Sequence, residues 1–114
     1  MDELVDQIAA KTGLDRAVTR RAVGIIINFL GREGPADKVQ ALIDKLPGAR
    51  GLADENAGAS GGLLGVFNDL TAAGLGMAQV QVVASEFVAF AKAKIGEGEV
   101  NAVVNAIPGL SQFV

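Results

Sequence analysis

Apolar residues recur every three or four positions along most of this chain, which is the spacing of amphipathic helices. Glycine and proline interrupt the pattern. The strict alternation of a β-strand is absent, although β-branched residues are common. The sequence therefore predicts an all-α fold. The first five predicted helices run at about Asp2–Lys11, Asp15–Gly31, Pro35–Leu46, Leu63–Ala73 and Ala78–Ile95. A sixth follows the break at Gly96 and Gly98 and reaches about Ala106.

Each predicted helix carries one apolar face, and together these faces form the predicted core. Asp15 is expected to cap the N-terminus of the second helix, and Leu110 and Phe113 are expected to fold back onto the core. The predicted core faces are Leu4, Val5, Ile8 and Ala9; Val18, Ala22, Ile25, Ile26, Phe29 and Leu30; Val39, Leu42, Ile43 and Leu46; Leu64, Phe67 and Leu70; Val80, Val83, Ala84, Phe87, Val88 and Ala91; and Val100, Val103, Val104 and Ile107.

The second half of the chain repeats the first. A shift of 61 residues brings Gly13-Leu14 onto Gly74-Leu75, Phe29 onto Phe90 and Pro47-Gly48 onto Pro108-Gly109 without a gap. We interpret the chain as one helical domain, 1–114, built from a duplicated three-helix unit. Its parts are repeat one at about 2–48, a flexible linker at about 49–62 and repeat two at about 63–114. The expected fold is a pseudo-twofold six-helix bundle with the long helices, and their equivalent Phe residues, at the centre.

The composition excludes several kinds of site. The chain has no Cys and no His, which removes thiolate ligands, disulfides and the usual general base near neutral pH. Its net charge of −3 argues against a main role in holding nucleic acid. We therefore predict no catalytic, cofactor-binding or metal site, and no enzyme. No apolar stretch has the length of a membrane span and no signal peptide is evident, so a cytoplasmic location is expected.

The glycine and proline pattern resembles that of an uncharacterised bacterial family, the VcgC/VcgE-like proteins. The resemblance covers roughly residues 12–113, and because that family has no established activity it implies no function for this chain. The residues on which the resemblance rests are Gly13-Leu14, Pro47-Gly48, Gly61-Gly62, Gly74-Leu75, Phe87 and Pro108-Gly109-Leu110.

Residues 1–30 separately resemble the N-terminal helix pair of the HU-type histone-like proteins, through a helix, a K-T-G-L turn and a second helix. In those proteins this part serves mainly in dimerisation and in the core, and a long basic β-ribbon arm holds DNA. No segment of this chain reads as such an arm. An HU-like nucleoid DNA-binding protein is therefore one alternative function.

Charged and glycine-rich clusters offer few candidate sites. A basic cluster on the first two helices could bind phosphate or an acidic partner, but a solvated face with local carboxylates such as Asp15 explains it better. Two acidic pairs lack the spacing of metal ligands, and two glycine pairs lack the Lys of a phosphate loop. The basic cluster consists of Lys11, Arg16, Arg20 and Arg21, with Thr19 on the same polar side. The acidic pairs are Glu97 with Glu99 and Asp54 with Glu55, and the glycine pairs are Gly61-Gly62 and Gly74-x-Gly76.

The fifth helix has more apolar residues than one face needs. Val82, Ala89 and Phe90 lie away from its predicted core face. They either fill a central position in the bundle, form a homodimer interface, or border a groove for an apolar ligand. The leading functional prediction is a non-catalytic protein-interaction domain, with the homodimer through this helix as its expected assembly. Binding of an apolar small molecule between the repeats is a further alternative.

Overall fold

The computed structural model describes residues 2–34, 36–46, 48, 50–51 and 62–107. Across these ranges the chain is helical and contains no strand, which confirms the all-α prediction. Each predicted helix end lies within two residues of an observed one. The helices are α1 (Asp2–Thr12), α2 (Arg16–Glu33), α3 (Ala36–Asp44), α4 (Gly62–Ala72), α5 (Met77–Ile95) and α6 (Glu97–Ala106).

Several other sequence predictions either differ from the structure or concern residues that it does not describe. Arg50 and Gly51, expected in the linker, are helical. The rest of that linker apart from Gly62, which begins α4, lies outside the described residues. Asp15 does occupy the N-cap position of α2 with extended backbone, but its side chain makes no capping hydrogen bond. Pro35, Pro47, Leu110 and Phe113, together with the side chain of Leu64, also lie outside what the structure describes.

The Gly-Leu corners form the turns between the first and second helix of each half. Gly13 has φ +74° and Gly74 has φ +109°. Residues other than glycine rarely adopt such positive φ angles. The Gly13 amide donates a 2.9 Å hydrogen bond to the carbonyl of Ala9, which closes the last turn of α1. Leu75, which follows Gly74, is buried, and Leu14, which follows Gly13, is partly buried against the core.

We predict that alanine in place of glycine changes the free energy of unfolding in opposite directions at two positions. Gly13→Ala is expected to lower the free energy of unfolding by about 1–2 kcal/mol, because alanine resists positive φ. Gly31→Ala should raise it by up to about 1 kcal/mol, because Gly31 lies inside α2 and nothing lies within 4 Å of an added Cβ. Urea denaturation of both variants measures the two changes, and equal effects would contradict the assigned conformations.

The core is centred on α2. This helix contacts α1, α3, α4 and α5, and burial therefore extends around its middle to Val23 and Ile27, which the apolar stripe left out. Thr19, predicted on the polar side, is fully buried, and its hydroxyl donates a 3.0 Å hydrogen bond to the Asp15 carbonyl. The fifth helix, α5, keeps a solvent-facing side along which Gln81, Ser85 and Ala89 are exposed.

The two expected central Phe residues are not equivalent in their surroundings. Phe29 is buried in the core. Phe90 is half-buried at the edge, and the Lys94 ammonium lies 5.5 Å from its ring centroid. The phenylalanine that α5 buries is Phe87, one turn earlier. The prediction of a central Phe pair was therefore wrong for Phe90.

The two halves interlock. In each half the first helix packs on the long helix of its own half and on that of the other half: α1 contacts both α2 and α5, and α4 contacts both α5 and α2. The short helices α3 and α6 contact each other. Polar side chains mark the α1–α5 seam, where Lys11 Nζ lies 2.6 Å from Glu86 Oε1 and Gln79 Nε2 donates to the Thr12 carbonyl at 3.3 Å.

Within the described ranges no single helix has both the length and the hydropathy to cross a lipid bilayer. A bent pair, Gly65–Ala72 with Met77–Ile95, reaches these values only when both helices are counted together across an angle of 111°.

Candidate functional site

The predicted basic cluster is largely engaged in ion pairs. Arg16 Nε lies 3.0 Å from Asp6 Oδ1, and an Arg20 nitrogen lies 3.8 Å from Asp2 Oδ1. Lys11 is paired with Glu86 on α5. The carboxylates thus come from α1 and α5 rather than from Asp15. These pairs are exposed, so each contributes only about 0–1 kcal/mol, but they offset the positive charge that a phosphate would need.

Of the two acidic pairs, the structure describes only Glu97 and Glu99. Glu97 and Glu99 are exposed in the first turn of α6, where the helix dipole favours negative charge. Glu99 lies 3.5 Å from the ammonium of Lys45. In the part of the chain that the structure describes, no three acidic side chains are close enough to hold a metal ion. Asp54 and Glu55 lie outside that part.

Of the two glycine pairs, the structure describes one completely and the other in part. Gly74 and Gly76 form the corner before α5, and the Gly76 amide donates a 2.8 Å hydrogen bond to Gln79 Oε1. This bond satisfies one of the free amides near the helix start, so the corner has a structural role. Gly61 lies outside the described residues, and Gly62 is the first residue of α4.

The additional apolar residues of α5 do not fill the centre of the bundle. Val82 and Phe90 are half-buried and Ala89 is exposed, so central burial is wrong for all three. Val82 and Phe90 share a side of the helix with Gln79 and Glu86, which bind α1. Part of this apolar surface is therefore explained by the α1–α5 seam.

The structure instead places an apolar cleft between the two halves. Helices α2 and α3 line it from the first half, and α4, α5 and α6 line it from the second. The surface that faces the cavity is apolar throughout, and the cavity volume is about 50 Å³. The lining residues are Ile26, Phe29, Leu30 and Leu42; Val66, Phe67 and Leu70; Val80, Gln81, Ala84, Phe87, Val88 and Ala91; and Val100, Val103 and Val104.

Burial separates a mouth from a floor in this cleft. Gln81 is exposed and Phe67, Ala84, Val88 and Ile26 are half-buried, so these residues form the mouth. The floor is fully enclosed, and its most buried members are Ala91, Leu70, Phe29, Val103 and Phe87. The cleft is thus open to solvent on one side and ends in the core on the other.

Two of the residues that line the cleft on α5 are alanines. In the 61-residue alignment Ala84 falls on Val23 and Ala91 falls on Leu30. Val23 and Leu30 are both buried in α2, and Leu30 also lines the cleft from the first half. At these two positions α5 therefore carries smaller side chains than α2.

The comparison with known proteins adds no relative. No protein-family model, no curated protein and no solved structure matches the chain.

Proposed function

We propose that this protein is a non-catalytic binding domain whose cleft takes a small apolar molecule between its two halves. The observation that carries the proposal is an apolar, partly open cavity of about 50 Å³ that reaches the core. Among the described lining residues there is no titratable side chain and no nucleophile, which suits binding rather than chemistry.

The physical reason for occupancy is the unfilled volume itself. Atoms that line an empty apolar cavity lose the dispersion contacts that a close-packed interior would provide. Water does not replace them well, because a site without hydrogen-bonding groups holds water poorly. A small apolar guest restores the contacts and removes its own surface from water.

Xenon tests the proposal because it is apolar, small and without a shape preference. The methyl NMR signals of Ala84 and Ala91 are expected to shift with xenon pressure and to saturate. The methyl of Ala89, exposed on the opposite side of α5, is the control within the same spectrum. If the Ala84 and Ala91 signals shift no more than the Ala89 signal across the pressure range, the site is ruled out.

We also propose that the domain arose by tandem duplication and has pseudo-twofold symmetry. A shift of 61 residues takes the start of α2 at Arg16 onto the start of α5 at Met77, and that of α3 at Ala36 onto that of α6 at Glu97. Exchanging the halves also takes each principal helix contact onto itself, as for α2–α5, or onto another, as for α1–α5 onto α4–α2. This correspondence supports one unit used twice.

A protein-interaction role, with a homodimer through Val82, Ala89 and Phe90, has less support. In the described part of the chain the large apolar side chain that is mainly exposed is Met77, at 66%, whereas interfaces of stable dimers need a broad apolar patch. We expect light scattering at micromolar concentration to give the 11.6 kDa mass of a monomer. A mass twice as large, lost in Ala89→Glu, would place the homodimer first.

A further inference from the structure

Each half of the molecule depends on the other half for its contacts. Besides the seams that α1 and α4 form with the long helix of the other half, α2 contacts α5 and α3 contacts α6. Each helix from α1 to α6 therefore packs across the boundary between the halves. We infer that the chain also pairs with a second copy of itself by exchanging halves, so that the first half of each chain packs on the second half of the other.

One short segment joins the two halves. The first half extends to Arg50, whose Nη2 donates hydrogen bonds of 2.8 Å to Gln40 Oε1 and 2.5 Å to Asp44 Oδ1. The second half begins with α4 at Gly62. The covalent length of residues 52–61 allows a span of at most about 36 Å. Because the molecule measures 32 Å along its longest axis, the second half can reach a neighbouring copy while it stays joined to the first.

The two seams between the halves correspond in the 61-residue alignment but differ in chemistry. At the α1–α5 seam Lys11 pairs with Glu86, and Gln79 donates to the Thr12 carbonyl. The same four positions of the α2–α4 seam hold apolar residues. In the same order they are Ala72, Ile25, Val18 and Ala73.

This difference selects unlike halves. In a pair of first halves the Lys11 ammonium would lie against the position of Ile25, which is buried in the core, and a charge beside apolar surface loses hydration without gaining a partner. In a pair of second halves Glu86 would face Ala72. Exchange between two intact chains avoids both arrangements and closes a symmetric dimer. Each cleft then takes α2 and α3 from one chain and α4, α5 and α6 from the other.

Concentration decides between the two forms, because the same contacts arise whether the halves come from one chain or from two. Halves on one chain meet at an effective concentration of about millimolar, which favours the monomer at micromolar concentration. Refolding at millimolar concentration lets halves of different chains compete. A dimer with twice the 11.6 kDa mass of the chain is then expected.

Cross-linking identifies which chain supplies each side of the α1–α5 seam. The chain has no cysteine, so one preparation carries Lys11→Cys alone and another carries Glu86→Cys alone. The native side chains at these positions lie 2.6 Å apart. The mixture is unfolded in guanidinium, refolded at about 1 mM, separated by size and treated with a short bismaleimide. Denaturing electrophoresis of the dimer fraction is expected to show a covalent product of twice the chain mass.

Two controls define this result. The double variant Lys11→Cys/Glu86→Cys, refolded at micromolar concentration, should cross-link within one chain, which shows that the reagent bridges the seam. Chains that all carry Lys11→Cys place the two thiols of an exchanged dimer in separate lobes, so they set the background. Lys45→Cys with Glu99→Cys, whose native side chains lie 3.5 Å apart between α3 and α6, repeats the test if either seam variant does not fold or the double variant does not cross-link.

Two outcomes would overturn the inference. A chain that stays monomeric after refolding at millimolar concentration does not exchange halves. A dimer whose mixed-chain product does not exceed the background is joined through another surface. Neither outcome affects the xenon test, which concerns the cleft of the monomer.

Discussion

Phe29→Ala is expected to lower the free energy of unfolding by about 3–5 kcal/mol, whereas Phe90→Ala lowers it by about 1 kcal/mol. Both residues stand at the same position of the repeat, 61 residues apart. Phe29 is 2% exposed within the core around α2, so its removal leaves a cavity that rigid neighbours cannot close. Phe90 lies at the edge, where solvent reaches the ring and Lys94 covers one face.

Guanidinium denaturation of the two variants and the parent chain measures this difference. The dependence on denaturant should be similar in all three, so that the midpoints report stability directly. A domain of this size has about 5–15 kcal/mol in total, and Phe29→Ala should therefore show a large shift in midpoint. Equal losses at the two positions would contradict the different surroundings that the structure gives them.

Separating the two halves is expected to abolish folding, and mixing them should restore it. Fragments 1–51 and 52–114 each lack the partner surface for their helices, because α1 packs on α5 and α4 packs on α2. Buried residues such as Leu4, Val5 and Leu70 would be exposed in a single fragment. The conformational entropy lost when a fragment folds alone then outweighs the free energy gained from the little apolar surface that it buries.

Circular dichroism tests this directly. Each fragment alone should give a weak helical signal and no cooperative thermal transition, while the equimolar mixture should approach the signal of the intact chain. Either fragment at twice its concentration is the control for simple mass action. A cooperative transition in one isolated fragment would show that the halves are independent, and would remove the interlocked arrangement as the basis of stability.

The helices could be predicted from the sequence because they depend on local periodicity and on glycine and proline at their ends. Most of the predicted core faces are buried as well, including Val39, Leu42, Ile43 and Leu46 around α3. These positions lie on a single face of the third helix, which packs on α2 and α6. A single-chain pattern is sufficient for that kind of burial.

The extended burial around the middle of α2 could not be predicted in the same way. Thr19, Val23 and Ile27 are buried because four helices surround α2, and the number of neighbours is a tertiary property. The position of Phe90 likewise depends on where α1 packs along α5. The cleft was foreseen only as one alternative among three, since a cavity is a difference in volume between partners that the sequence does not place side by side.

The interlocked halves also affect how the chain acquires its structure during synthesis. Lys11 and Glu86, which pair across the α1–α5 seam, are separated by 75 residues, so α1 leaves the ribosome long before its partner helix exists. Such distant pairings raise the contact order above that of a bundle in which only sequential helices touch, and folding is slower in proportion. During that interval the apolar face of α1 is open to solvent, which makes the nascent chain a candidate for chaperone binding and for aggregation.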